Sequence, residues 1–351
     1  MILDPILDYF RGKAVTIPPL DGAFRPNTRL DDAHAFAALT EADNLAFRSG
    51  TLIASSGNAV YTLTADTEPA VLESFPSPVT ALAVSPAGEL AVALETGKLF
   101  IGGKEVALPS AIRCITALVY GADGALVLAN GSAKHAPSAW AADLMEKGAS
   151  GSVWKREAAG GEFREIASGL AFPYGLHPVA DGVVVSESWR HRLLRIGGSG
   201  TPKTVIDKLP GYPARLSPAE DGGVWLSLFA PRNRLIEFVL QETHYRLDMM
   251  AEVPRDSWIA PALSSGRSFL EPLQCGGIRT MGIHKPWSPS RSYGLVVKLD
   301  ASLQPLFSLH SRANGTRHGT TSAVEKDGTL YVASKGGDSV LAIDIATAEG
   351  R

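Results

Sequence analysis

Short apolar runs, each broken by a turn containing Gly, recur six times along the chain, and the recurrence predicts the fold before any single residue does. The series starts with "LAFRSGTLIASSGNAVYTLTAD" from Leu45, "LAVSPAGELAVALETGKLFIGG" from Leu82 and "LVYGADGALVLAN" from Leu118. It continues with "LHPVADGVVVSESWRHRLLRIG" from Leu176, "LSPAEDGGVWLSLF" from Leu216 and "AVEKDGTLYVASKGGDSVLAIDI" from Ala323. In each copy Asp-Gly, Ala-Gly or Ser-Gly sits at the tight turn, where a positive φ is needed and Gly, Asn or Asp supplies it. The flanking runs are rich in Val, Leu, Ala and Ile, as strands packed between neighbouring sheets should be. Six four-stranded antiparallel sheets arranged radially make an all-β, six-bladed β-propeller, an architecture that leaves only short, protected edges. The last copy ends after three strands, and "KAVTIPP", Lys13 to Pro19, is expected to supply its fourth and so close the ring.

Two copies carry insertions between their second and third strands. The third holds residues 131–150, including "GSAKHAPSAWAADLMEKGAS", in which Trp140, Leu144 and Met145 share a helical face and Ser138 can cap the helix. The fifth holds a longer insert, about 231–292. In a propeller these connections open on the same face as those leading into each innermost strand. Both inserts should therefore overhang one mouth of the central channel, a usual place for a ligand site built from loops on a rigid scaffold. A β-sandwich with a second domain is the alternative, but no linker or shift in composition divides the 351 residues into two.

Composition narrows the function. Apolar residues are 45% and charged residues 20%, enough for a large core. The net charge of −3 comes without basic runs, so no electrostatic footprint for nucleic acid is present and a small-molecule partner fits better. Cys114 and Cys275 form no metal-type spacing. No run reaches the length of a membrane span, and Asp4 and Asp8 stand where a signal peptide carries basic residues, so a cytoplasmic location is expected. The Asn-x-Ser/Thr triplets at Asn130 and Asn314 read as chance, and nothing in the sequence bears on oligomeric state. A phosphate-binding loop, a Gly-x-Ser-x-Gly elbow and a His-Glu-x-x-His helix are all missing from the sequence.

In order along the chain, "PSAWAADLMEKGASGSVWKRE", "SGLAFPYGLHPVADGVVVSESWRHRLLRI", "KLPGYPARLSPAEDGGVWLSLFAPRN" and "YGLVVKLDASLQPLFSLHS" resemble the landmarks of the strictosidine synthase-like family. The likeness spans most of the chain and is clearest from about Leu118 onward. It implies a propeller related to the paraoxonases and gluconolactonases, and an activity of either amine-carbonyl condensation or ester and lactone hydrolysis. The hydrolytic relatives use a calcium ion in the channel, held by Asn, Asp and Glu at the starts of innermost strands; calcium needs six to eight oxygen ligands. Here Asp43 and Asn44 stand at the first such position as a remnant pair or as capping residues. Thr116 and Ala117, Tyr174, and Pro213-Ala214-Arg215 replace the oxygen donors at three others. Arg215 would put a cation where the metal belongs, so a metal-free site without a cofactor is expected. The condensing relatives take the amine's proton with a Glu near the start of the sixth blade, where Thr321 stands; Glu325 reads as structural.

The candidate site residues follow. His135, His318 and Glu187 are candidates for proton transfer, and Tyr174, Arg215 and Trp189 for binding substrate. Each has a plainer alternative: an exposed loop His for His135, an ion pair for Glu187, and a blade cover for Trp189. His177 is expected to be packed in a strand. "HKPWSPSRSYG", from His284, could form a lid or a surface loop. An enzyme, a non-catalytic small-molecule binder and a protein-interaction scaffold all remain compatible with these residues.

Overall fold

The computed structural model describes residues 16–65, 67–198, 200–266, 279–280, 283–284 and 291–348. Six four-stranded antiparallel sheets form a six-bladed β-propeller. The innermost strands are Leu45–Arg48, Val79–Val84, Ile115–Tyr120, Pro173–Val179, Gly211–Pro218 and Thr320–Lys326. Second strands are buried over most of their length, as Leu90–Leu94 and Val224–Pro231 are throughout. This is the expected burial for a strand with a neighbouring blade on each face, and it explains why these runs are continuously apolar rather than alternating. The turns use the residues the repeat supplies. Ser49 and Gly50, and Asp327 and Gly328, all have positive φ, the two-residue hairpin geometry that matches the twist of the flanking strands.

The ring closes differently from expectation. The fourth strand of blade 6 is His34–Ala38, which pairs with Ser339–Asp344 through His34 opposite Ala342 and Ala38 opposite Ser339. Residues 16–19 form no strand, and residues 13–15 lie outside the described residues. An outermost strand contributes little to the core, and in "HAFAA" only Ala37 is buried, so its apolar signal is weak. "TIPP" looks more strand-like, but Pro18 and Pro19 have no N–H to give a ladder.

Both inserts lie on the same face. In blade 3, a short helix Trp140–Met145 follows a 3-10 turn Pro137–Ala139. Ser138 does not cap it; its backbone N–H donates instead to the Glu95 carboxylate of blade 2 at 3.0 Å. The described part of the blade 5 insert carries helices Arg234–Gln241 and Thr243–Glu252. The first is capped by Asn233, whose side-chain oxygen accepts from the Leu235 N–H at 2.9 Å. Leu144 and Met145 of one insert and Val239, Met249 and Trp258 of the other bury one shared apolar cluster, and Arg246 donates to the Met145 carbonyl. The two inserts are thus one roof over one mouth. Most of "HKPWSPSRSYG" lies outside the described residues, as does Cys275. Among the described residues, no helix is long and apolar enough to cross a membrane.

The position of the closing strand can be tested by placing a charge at each alternative. Ala37→Asp buries an unpaired carboxylate between blades 6 and 1 and should cost more than about 2 kcal/mol. Thr16 is exposed, so Thr16→Asp should stay within about 0.5 kcal/mol of the parent protein in urea unfolding.

Candidate active site at the channel mouth

The site is built by the first residues of the innermost strands. In blades 2 to 6 the ladder to the second strand breaks there, with register shifts at Val79/Ala81, Ile115/Ala117, Pro173/Gly175, Pro213/Leu216 and Thr320/Ser322. A residue skipped by its ladder, as Thr80, Thr116, Tyr174 and Thr321 are, has a backbone or side chain free to turn to the axis. Five blades repeat this device, so residues distant in sequence converge at one end of the channel.

Arg215 occupies the centre. Its Nη1 donates to Asp43 Oδ1 at 2.5 Å, and its Nη2 to the carbonyls of Thr80 at 2.7 Å and Thr116 at 3.2 Å. The guanidinium also lies over the Tyr174 ring, 5.0 Å from its centroid. Asp43 Oδ2 accepts from Lys335 Nζ at 2.9 Å. One carboxylate therefore holds two cations and leaves a net positive charge. Burial pushes the Asp43 carboxyl up, but Arg215 and Lys335 outweigh it, and the acid is held well below the usual carboxylate range. Burial acts most strongly on Lys335 and pulls it down, but Asp43 and Tyr174 together outweigh it, so its pKa is raised and it stays an ammonium. Burial first, then the Asp43 charge, raises Tyr174, which stays a neutral phenol.

Above this floor is a cavity of about 500 Å³. Trp140, Phe172, Trp189 and Phe229 wall it, with Phe172 stacked on Trp189 at 4.3 Å. The Trp189 indole N–H donates to Asp143 Oδ1 at 2.8 Å, so a residue of the blade 3 insert fixes the ring. Lys335 and Asp43 open into the cavity from below, and Glu41 and Glu95 lie at its side. A larger groove of about 750 Å³ lies on the opposite face, between hairpin turns of blades 3 and 4. There Asp123 pairs with Lys155 and Asp181 with Arg195, all surface contacts, and no buried charge converges.

The sequence-predicted residues separate into two groups. Tyr174, Arg215, Trp189 and Asp43 come together at the mouth. Asn44 faces away, donating to Ser55 Oγ at 2.9 Å. His135 is not at the cavity; it pairs with Glu146 at 2.9 Å on the rim of its own insert. Glu187 does not reach Arg215. Fully buried, it accepts from the Ala171 N–H and from Arg190 at 2.7 Å and from Arg192 at 2.5 Å, which marks it as an anchor of its turn. His318 lies buried under blade 6 against Ser292 and the Arg312 carbonyl, beside the mouth rather than in it. His177 has a part-buried place in its strand, and Glu325 accepts from the Trp225 indole at 2.5 Å, a structural role.

Lys335 was missed. It begins the 3-10 turn Lys335–Gly337, the counterpart of Ser188–Arg190 in blade 4; both turns end on a left-handed residue, Asp338 and His191. Aligning "ASKGGDSVLAI" with "SESWRHRLLRI" puts Lys335 opposite Ser188 and Gly336 opposite Trp189. Gly336 is required because a Cβ there would fall 1.9 Å from the Leu263 carbonyl of the blade 5 insert.

The donor set does not fit calcium. The axial place is taken by a guanidinium, whose own ligands are the carboxylate and carbonyls a cation would use, and no cluster of three His, Cys, Asp or Glu occurs among the described residues.

Comparisons with known proteins support the architecture. No protein-family model matches the chain, and no curated protein matches it. Among solved structures, the chain is similar to an X-ray structure of a protein provisionally classed as a gluconolactonase, with a TM-score of 0.55 and 14% identity over 89% of this chain and 91% of that one. It is equally similar to a gluconolactonase of Xanthomonas campestris, with a TM-score of 0.55 and 14% identity over 90% and 91% of the two chains. At this identity the likeness establishes the six-bladed fold.

The buried charges predict a pH signature. Asp43→Asn leaves Arg215 and Lys335 facing each other without a counter-charge and should cost about 3–5 kcal/mol at pH 7. Asp43 is depressed in the folded state, so its contribution is complete above the unfolded carboxyl value near 3.9 and is lost as pH falls toward the folded value. The stability gap between parent and variant should therefore be largest at pH 6–7 and shrink below about pH 4. Urea unfolding across that range measures it.

Proposed function

We propose that the chain is a metal-independent hydrolase of a small lactone or ester, bound in the mouth cavity with its carbonyl oxygen on Lys335. The observation that carries this reading is the Arg215 guanidinium in the axial place, with the partly buried ammonium of Lys335, which lines the cavity, beside it on the shared carboxylate of Asp43. A fixed cation behind and an accessible cation in front can do the electrostatic part of acyl transfer without a metal. Negative charge develops on the carbonyl oxygen as water adds, and a preorganised donor at low dielectric stabilises it most there. Both Asp43 oxygens are engaged by cations, which makes it a poor base. Glu41 and Glu95 line the same cavity and are the acceptors available for the attacking water's proton. The leaving ring oxygen then departs protonated, and the aromatic wall holds the apolar part of the substrate. The gluconolactonase neighbours support lactones as the first class to try, as a fold-level analogy only. Condensation of an amine with a carbonyl compound lacks comparable support, since Thr321 offers no carboxylate at the blade 6 position.

A non-catalytic binder is the second reading, favoured by one observation: no histidine lines the cavity among the described residues. A panel of aliphatic, aromatic and sugar lactones and esters, followed by proton release, separates the two. Hydrolysis should persist in a chelator, and Lys335→Met should lower kcat/KM by about 10²-fold or more. Activity abolished by the chelator and untouched by Lys335→Met would sink the proposal. Saturable quenching of Trp140 and Trp189 fluorescence with no turnover of any compound would establish the binder.

A further inference from the structure

We propose that Ser265 is a nucleophilic serine, activated by His318 through Ser292, which accepts acyl or phosphonyl groups from activated esters. This goes beyond the lactone site above and rests on none of its charged residues. Ser265 Oγ lies 2.5 Å from Ser292 Oγ, which lies 2.8 Å from His318 Nδ1. His318 Nε2 lies 2.8 Å from the Arg312 carbonyl. That carbonyl can only accept, so Nε2 carries the ring proton and Nδ1 offers its lone pair. Ser292 must then donate to Nδ1, and with its own proton committed it must accept from Ser265. One backbone carbonyl thus fixes the polarity of the whole relay, with Ser265 as the outer donor and the imidazole as the final base.

Accessibility follows the same order. Ser292 and His318 are buried, whereas Ser265 is partly exposed, two residues beyond the Leu263 that lines the mouth cavity. The imidazole stacks on Tyr293 and is held in place through its own backbone, since its carbonyl accepts from Ser334 Oγ at 2.9 Å and from the Gly336 N–H. Burial keeps the ring below its ordinary pKa, so it is a neutral base at pH 7, while the Asp31 charge and the Arg312 carbonyl favour the imidazolium that the reaction forms.

The electron count closes. Ser265 Oγ bonds the acyl carbon, its proton passes to Ser292 as the Ser292 proton passes to Nδ1, the ester C–O bond breaks, and the leaving oxygen takes a proton from Ser292, which regains one from the imidazolium. Water then hydrolyses the acyl-serine.

The full chain treated with a fluorophosphonate reports this directly: an Oγ–P bond forms, the P–F bond breaks and fluoride leaves. Peptide mass spectrometry should place the adduct on Ser265, and Ser265→Ala should show none while keeping its melting temperature. His318→Gln and Ser292→Ala should label at least tenfold more slowly. The parent's labelling rate should rise with pH through one inflection below the ordinary imidazole value of about 6.5. An adduct elsewhere, no adduct, or equal rates in parent and variants would overturn the proposal. If the two buried variants fail to fold, the parent's pH profile decides alone, and a flat profile overturns it. The readout needs no lactone turnover, so its failure leaves the reading of Lys335 untouched.

Discussion

The ion pair between Arg215 and Asp43 is the constraint around which the channel mouth is organised. It joins blade 5 to blade 1, and through the Thr80 and Thr116 carbonyls it also ties in blades 2 and 3. A guanidinium with 11% exposure is tolerable only because a carboxylate and two carbonyls surround it. The same requirement explains the neighbours: Tyr174 presents a ring face to the cation, and Lys335 reaches the second carboxylate oxygen. Removing Asp43 leaves two buried cations uncompensated, so the carboxylate is the member on which the group depends.

What brings the group together is a repeated irregularity rather than a repeated residue. Each innermost strand of blades 2 to 6 slips its ladder near its start, and the skipped residue varies among Thr, Tyr and Arg. A regular strand would direct alternate side chains into the two adjoining blades and none along the axis. The bulges free backbone carbonyls and side chains for the channel without disturbing the interblade core. This division lets the scaffold stay fixed while the axial residues vary, so an arginine can stand at the axial place without disturbing the blades.

The fold was legible because the strand signal is carried above all by second strands such as Leu90–Leu94 and Val224–Pro231, which are buried throughout. It failed at the outermost strand, where only Ala37 of five residues is buried and the pattern fades. At the site, Tyr174 and Arg215 were legible as departures from a resembled pattern, and Asp43 as a remnant of it, all at the same repeat position. Lys335 was not, because it belongs to a different repeat position, the turn after the second strand, and its meaning depends on Asp43, distant in sequence but in the neighbouring blade where the ring closes. His135 and Glu187 misled for the opposite reason. Each occupies the corresponding turn of its own blade, but a nearby partner in sequence, Glu146 for one and Arg190 and Arg192 for the other, captures it locally.

Lys335 and Arg215 share one carboxylate but differ in what they can do. Arg215 has both Nη atoms committed to Asp43 and to carbonyls and its Nε buried, and its role is to set the field. Lys335 has three donors in a tetrahedral ammonium and spends one on Asp43, which leaves donors for an incoming oxygen. Its turn admits no side chain at Gly336, because the blade 5 insert crosses there at the distance of a backbone contact. The insert therefore fixes the lysine's turn from above as Asp43 fixes its head from below. A long, rotamer-rich side chain is held at both ends before any ligand arrives, and that preorganisation is what a donor to a developing oxyanion needs.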